Sequence, residues 1–127
     1  MTMSVKILVV DDEPNNLKMI ASRLKASGYE VLTAGDAEGG YELARNWRPD
    51  VAVTDWELAG MGGDELCRKL KMGPDTHAVR VILYTARVNH GDEGRAREAG
   101  CDAFIQAPFK ANVLLAKVRG LVETSHE

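Results

Sequence analysis

The chain has few cysteines, no basic excess and no long apolar run, and each absence excludes a class of protein. Its two cysteines, Cys67 and Cys101, are too few for a disulfide framework or a metal-ligand cluster, so we expect a reduced, cytoplasmic setting. Sixteen basic and nineteen acidic side chains give a net charge of -3, which argues against nucleic acid as the partner. No apolar run approaches the roughly 18 residues of a membrane span, and residues 1–6 lack a signal-peptide pattern.

The chain also lacks the motifs of several phosphate and metal chemistries. No glycine-rich turn follows the first apolar run, which excludes a dinucleotide fingerprint and a Walker A loop. The glycines within residues 60–63 come without the lysine of a phosphate-binding loop, so they predict a flexible turn. Glu13 stands where a phosphatase that used Asp11 would need a second aspartate. The histidines have no partners at metal-ligand spacing; they are His77, His90 and His126.

What is present is the length and composition of one ordinary globular domain. The 127 residues are 45% hydrophobic and 28% charged, without repeats or linkers. Short apolar runs alternate with helical patterns, beginning with a β-branched run at residues 5–10 and an apolar helical face between residues 17 and 24. Further strands are predicted at 31–34, 51–54, 79–84 and 103–106, and further helices at 37–47, 64–72, 93–99 and 111–122. Five such units predict a doubly wound α/β fold, a five-stranded parallel sheet with helices on both faces.

Polar residues at the ends of these strands are the functional candidates, because ligands bind beyond the carboxyl ends of parallel strands. Asp11 and Asp12 follow the first strand, Asp55 ends the third and Thr85 ends the fourth. At about 5 Å and an effective dielectric near 20, two ionised carboxylates repel by roughly 3 kcal/mol, so the cluster needs a cation or a protonated member. An all-oxygen set in a wet site favours Mg²⁺. The alternative is that Asp11 or Asp12 only caps the first helix while Asp55 lies in a turn.

Together these residues resemble the receiver domain of bacterial two-component response regulators. The similarity covers residues 5–122 and implies a single receiver domain over residues 1–127, flavodoxin-like, with the strand order 2-1-3-4-5 of chemotaxis members of the family. It rests on four segments whose spacing is specific in combination. They are Leu8-Val9-Val10-Asp11-Asp12-Glu13, the strand reaching Asp55, Thr85-Ala86, and Ala99-Gly100-Cys101-Asp102-Ala103-Phe104 leading into Pro108-Phe109.

The resemblance implies that Asp55 accepts a phosphoryl group from a phosphohistidine on a sensor histidine kinase or phosphotransfer protein. Mg²⁺ would be bound by Asp55, directly by Asp12, mainly through water by Asp11, and by the backbone carbonyl of Glu57. In-line phosphoryl transfer needs positioning and charge neutralisation, which this metal provides.

The resemblance also implies two residues that carry the response to phosphorylation. Thr85 would donate a hydrogen bond to a phosphoryl oxygen and move inward once Asp55 is modified. Phe104 matches the aromatic switch, whose rotamer follows that movement and changes the face formed by the fourth helix, fifth strand and fifth helix. A plain core aromatic is the alternative role for Phe104.

Two departures from the family pattern concern the same site. The family has a lysine immediately before Pro108, and this chain has Ala107. Losing such a charge-assisted hydrogen bond costs roughly 1.5–3 kcal/mol, or about 10- to 100-fold in forming or stabilising the phosphorylated state. Lys110 is not expected to reach the site, and Arg87 is a candidate substitute cation. After Asp55, the family proline is replaced by Ala59, which predicts a looser loop.

The leading hypothesis is therefore a Mg²⁺-dependent receiver that switches a protein-interaction face and catalyses only its own phosphorylation and hydrolysis, without turnover as an enzyme. A degenerate receiver that binds proteins without phosphorylation is the alternative because of Ala107. A phosphotransfer intermediate or phosphatase is a third possibility, with no general base beyond the carboxylates. We expect the output to be an unknown protein target, or a tethered effector if the chain is a fragment, with no contact between this domain and nucleic acid or membrane.

Overall fold

The computed structural model describes residues 4–86 and 92–125, which form one parallel sheet of five strands with five helices. The strands are β1 (Lys6–Val10), β2 (Glu30–Ala34), β3 (Val51–Asp55), β4 (Arg80–Thr85) and β5 (Ala103–Gln106). The helices are α1 (Pro14–Ala26), α2 (Ala37–Trp47), α3 (Gly63–Met72), α4 (Asp92–Glu98) and α5 (Ala111–Ser125). Strand order is β2-β1-β3-β4-β5 with every pair parallel, which confirms the predicted fold class and strand order.

The start of helix α1 differs from the sequence-based expectation that an aspartate caps it. The Glu13 carboxylate accepts hydrogen bonds from the backbone N–H groups of Asn15 and Asn16, and Pro14 occupies the first turn. A longer side chain thus supplies the cap, because Glu13 lies immediately before the helix. Asp11 and Asp12 are left for other contacts, which removes the alternative in which they serve only as caps.

The core consists of two apolar layers, one on each face of the sheet. Strand β1 shows why: Leu8 and Val10 pack against α2 and α3, whereas Ile7 and Val9 face the layer that includes α1 and α5. All four side chains have no exposed surface, as expected for a parallel strand covered on both faces. Burying each contributes about 1.5–3 kcal/mol. None of the helices in the described residues is long and apolar enough to cross a bilayer.

Strand register brings the predicted polar residues to one edge of this sheet. Val10 of β1 pairs with Thr54 of β3, so Asp11 and Asp55 follow directly beside one another. Asp55 in turn pairs with Tyr84 of β4, and Thr85 is the next residue along. The strand order reverses between β1 and β3, which is where ligands bind in sheets of this type.

Candidate functional site

Three carboxylates lie together at the carboxyl edge of the sheet. Asp11, Asp12 and Asp55 each offer one oxygen, and these oxygens all lie within 4.8 Å of one another. Asp11 is buried, Asp12 is exposed and Asp55 is half-buried. The donor set is all oxygen and open to solvent on one side, which suits a hard divalent cation that keeps several waters, such as Mg²⁺. The predicted clustering of these residues is thus present in the fold.

Asp55 is the carboxylate whose protonation is most affected by this arrangement. Its pKa is raised to about 6, mainly because the group is partly buried, and also because Asp11, Asp12 and Glu57 carry like charge. The backbone N–H of Glu57 donates to Asp55 Oδ1 at 3.1 Å and offsets part of that rise. Neutral pH therefore leaves Asp55 mainly ionised but readily protonated. A cation at the cluster would favour the ionised form.

Asp11 is held by three hydrogen bonds within the protein. Its Oδ1 accepts from the Glu13 backbone N–H at 2.9 Å, and its Oδ2 accepts from Asn16 Nδ2 at 3.0 Å and from the Tyr84 hydroxyl. Because both oxygens are engaged, the orientation of this buried carboxylate is fixed before any ligand binds. Asp12, by contrast, makes its contact across the site: its Oδ2 accepts from the Ala59 N–H at 3.1 Å.

The loop after β3 makes a close backbone approach at Gly63, the last residue of the turn predicted for residues 60–63. A Cβ on Gly63 would lie 2.2 Å from the carbonyl oxygen of Asp55, so only glycine fits there. The Gly63 N–H donates to the Trp56 carbonyl at 2.8 Å, and the Trp56 N–H donates to the Tyr84 carbonyl at 2.8 Å. These contacts fix the backbone that carries Asp55.

Thr85 and Phe104 occupy positions consistent with the roles predicted for them. Thr85 is buried at the end of β4, and its hydroxyl donates to Glu57 Oε1 at 3.2 Å. Phe104 is half-buried on β5 and makes an edge contact with Trp56, with ring centroids 6.0 Å apart. Trp56, which directly follows β3, thus contacts β5 through its ring, and the roles predicted for Thr85 and Phe104 stay predictions.

A family model described as response regulator receiver domain matches residues 7–119 of the chain. The chain belongs to this family. Among curated relatives, it is 39% identical over 119 residues to response regulator PleD of Caulobacter vibrioides, covering 94% of this chain and 26% of that protein. It is 32% identical over 126 residues to the DNA-binding response regulator MtrA of Mycolicibacterium smegmatis, covering 99% of this chain and 54% of MtrA.

The receiver fold is matched equally well by solved structures. A CheY-like response regulator receiver domain protein from Methanospirillum hungatei JF-1 superposes with a TM-score of 0.89 at 29% identity, over 98% of each chain. The receiver spans between about a quarter and a half of the curated relatives it matches. It is thus a receiver domain of two-component signalling, similar over nearly its whole length to receivers that occur within longer regulators.

No cation among the described residues compensates the acidic cluster. The ion pairs of residues 4–86 and 92–123 leave out all three carboxylates. Ala107 ends in a methyl group, Lys110 is exposed, and Arg87 lies outside the described residues, so its role as a substitute cation stays a prediction. The Glu57 carbonyl likewise stays a predicted ligand.

Sequence reasoning missed Tyr84, the residue whose hydroxyl bonds Asp11. It lies in β4 among valine, isoleucine and leucine, a pattern that predicts only an ordinary buried strand. A buried tyrosine hydroxyl needs a hydrogen-bond partner, and this one comes directly before Thr85 at the ligand-binding edge. That position was the available signal.

Proposed function

We propose that this receiver accepts a phosphoryl group on Asp55 from a histidine kinase or phosphotransfer protein, with Mg²⁺ as its cofactor. The observation that carries the proposal is the clustering of the three carboxylate oxygens within 4.8 Å at the strand-order reversal. Asp55 is half-buried, so a partner's phosphohistidine can approach it. Family membership supports the reaction class.

In this mechanism, Asp55 and Asp12 would hold Mg²⁺ directly, Asp11 would act mainly through water, and the Glu57 carbonyl would complete the protein ligands. When bound, Mg²⁺ neutralises negative charge on the transferring phosphoryl group. Asp55 Oδ1 is oriented by the Glu57 N–H, which leaves Oδ2 as the nucleophile. Its lone pair forms the new O–P bond as the P–N bond of the phosphohistidine breaks, and the electron pair of that bond stays on the imidazole.

The response to phosphorylation begins at Thr85. Its hydroxyl donates to Glu57 Oε1 in this structure and would exchange that acceptor for a phosphoryl oxygen. Movement of Thr85 would open room beside β5, and Phe104, whose ring contacts Trp56, would follow it. The face formed by α4, β5 and α5 would change as a result, and would be the surface that a target protein reads.

Phosphorylation is tested by incubation with Mg²⁺ and a small phosphodonor, followed by intact-mass measurement. We expect one added phosphoryl group in wild type and none in Asp55→Asn. Asp75→Asn, which changes an aspartate near the amino edge of the sheet, is the matched control and should retain the added group. Mg²⁺ should also quench Trp56 fluorescence, since that ring adjoins Asp55 in sequence. Absence of both the adduct and the quenching would contradict the proposal.

The second candidate is a degenerate receiver that binds proteins without phosphorylation. Ala107 and the lack of a cation paired with the cluster, among the described residues, favour it. A folded protein that binds a partner equally well as wild type and as Asp55→Asn would support this candidate. Arg87→Ala should weaken binding of a phosphate analogue if Arg87 replaces the lysine, and unchanged binding would exclude that role.

Three further features belong to the proposal. The receiver modifies only itself and is not a turnover enzyme. Its two cysteines are free thiols, Cys67 buried and Cys101 half-buried, which fits a reducing cytoplasm. Because PleD and MtrA are longer than this chain, the output is either a separate target protein or an effector domain joined to the receiver.

A further inference from the structure

The acidic cluster contains one buried neutral donor, the hydroxyl of Tyr84. We propose that Tyr84 is a positioning residue, which orients Asp11 for cation binding. The inference rests on the proposed function, because it assigns Tyr84 a role in the same Mg²⁺-dependent site.

The contact itself is buried and specific. Tyr84 is 2% exposed and Asp11 is 1% exposed, and the hydroxyl donates to Asp11 Oδ2. Asn16 Nδ2 donates to the same oxygen from helix α1, so two side chains from different elements fix one carboxylate oxygen. A hydrogen bond between a neutral donor and an ionised acceptor inside a protein is stronger than a neutral pair.

The ring of Tyr84 is held in place by packing on both sides of β4. Its edge contacts Phe109, with centroids 5.6 Å apart, and its neighbours in the register are Asp55 on β3 and Ile105 on β5. Tyr84 and Ile105 share one apolar layer. This packing holds the ring while its hydroxyl donates to Asp11.

A neutral donor can orient a carboxylate without adding charge to the site. The Tyr84 hydroxyl holds Asp11 and leaves the net charge of the cluster unchanged. Removal of the hydroxyl should therefore weaken Mg²⁺ binding by freeing Asp11 to turn, even though no charge is lost.

The test is calorimetric measurement of the Mg²⁺ dissociation constant in Tyr84→Phe, which keeps the ring and removes the hydroxyl. We expect the dissociation constant to rise about 5- to 10-fold. Phosphorylation by a small phosphodonor should need correspondingly more Mg²⁺ for half-maximal rate, with the rate at saturating Mg²⁺ reduced less than 3-fold, as roughly expected when binding rather than chemistry is changed. Asn16→Ala, which removes the other side-chain donor to Asp11 Oδ2, should weaken Mg²⁺ binding in the same direction.

Two controls separate this role from a structural one. Tyr29→Phe removes a tyrosine hydroxyl from the same apolar layer, and Ile105→Val loosens the packing beside Tyr84 while keeping its hydroxyl. Both should retain the wild-type dissociation constant. Urea unfolding without metal, in a double-mutant cycle of Tyr84→Phe with Asp11→Asn, should show that the two changes are not additive.

The outcomes are distinguishable. An unchanged dissociation constant in Tyr84→Phe or in Asn16→Ala would overturn the inference, as would an equal weakening in Ile105→Val. If Tyr84→Phe weakens Mg²⁺ binding but wild type forms no phosphoryl adduct, the positioning role stands and the proposed function fails. If wild type does not bind Mg²⁺, both fail.

Discussion

Carboxylates are paired with cations at one edge of the sheet and clustered without them at the other, among the described residues. At the amino edge, Asp102 accepts from the Val81 N–H and pairs with Lys71 at 2.7 Å and Arg80 at 3.5 Å. At the carboxyl edge, three aspartates lie within 4.8 Å of one another without an ion pair among the described residues. The first arrangement stabilises the fold, and the second opposes it. Such accumulation of uncompensated charge at a ligand-binding edge is typical of a functional site.

The hydrogen bonds at the two edges sharpen this contrast. Asp50 at the amino edge accepts from the Lys6 backbone N–H at 2.8 Å and joins two strands. Asp11 at the carboxyl edge has three donors, and all of them are neutral. Hydrogen bonds therefore orient the acidic cluster without reducing its charge. A cation is the group that the cluster still needs.

The largest effect is expected from breaking the backbone at the carboxyl edge with Gly63→Ala. The new Cβ would lie 2.2 Å from the Asp55 carbonyl oxygen, so the loop must shift, at a cost of about 3 kcal/mol of unfolding free energy. Phosphorylation of Asp55 should fall about 10- to 100-fold because its carboxylate moves. Urea unfolding and intact-mass kinetics measure the two effects. Gly94→Ala in helix α4, where a Cβ meets nothing within 4 Å, should instead stabilise the protein slightly.

At the amino edge, Asp102→Asn should destabilise the fold without affecting the site. The change removes the ion pairs with Lys71 and Arg80 and weakens the acceptor for the Val81 N–H, at a cost of about 2 kcal/mol. The Mg²⁺ dissociation constant, measured by calorimetry, should stay at the wild-type value. A weaker Mg²⁺ affinity would show that the two edges are coupled, and would contradict the view that the ion pairs of Asp102 serve only stability.

At the carboxyl edge, Asp55→Asn should stabilise the metal-free protein, whereas Asp102→Asn at the amino edge should destabilise it. Folding raises the pKa of Asp55 from 3.8 to about 6, so the ionised group opposes folding above pH 6. That cost disappears as the pH falls from 6 to below 3.8, where both folded and unfolded chains are protonated. Because the Asp55 carboxylate is half-exposed, we expect Asp55→Asn to raise the free energy of unfolding at pH 7.5 by about 1–2 kcal/mol. Urea unfolding at several pH values measures it.

Addition of Mg²⁺ should make wild type more stable than Asp55→Asn. A cation that binds the folded state stabilises wild type, whereas Asp55→Asn lacks one ligand and should respond less. If Asp55→Asn without metal is stabilised as much at pH 4 as at pH 7.5, like-charge repulsion and burial of Asp55 are not the cause of its stabilisation.

The smallest effect is expected from Glu57→Gln at the rim of the site. Glu57 is exposed and accepts a 3.2 Å hydrogen bond from Thr85, so stability should change by only about 0.5 kcal/mol. Removing its charge should ease approach of an anion, and we expect beryllofluoride, a phosphoryl analogue, to bind about 2- to 5-fold more tightly. Glu98→Gln, an exposed charge in helix α4, is the matched control. Equal tightening in both variants would attribute the effect to net charge alone.

Sequence patterns predicted some parts of this receiver closely and missed others for identifiable reasons. The bounds of α2 and β5 agree with the prediction because Asp36, Pro49 and Pro108 mark their ends locally. Helix α1 is capped by Glu13 and not by an aspartate, because the chain path after β1 brings Asp11 to Tyr84 and Asn16 instead. The close approach at Gly63 was not predicted, because its partner, the Asp55 carbonyl, is brought near only by the path of the loop.

The alternation of strands and helices could be predicted from residue patterns, and with it the convergence of Asp11, Asp12 and Asp55. Hydrophobic periodicity and strand ends are local signals, and parallel strands necessarily share a carboxyl edge. The groups that contact those aspartates depend on tertiary packing. The Tyr84 bond to Asp11 joins residues 73 positions apart, and the Thr85 bond to Glu57 joins residues 28 apart. Such contacts depend on register and side-chain packing across the sheet, which no short stretch of sequence specifies.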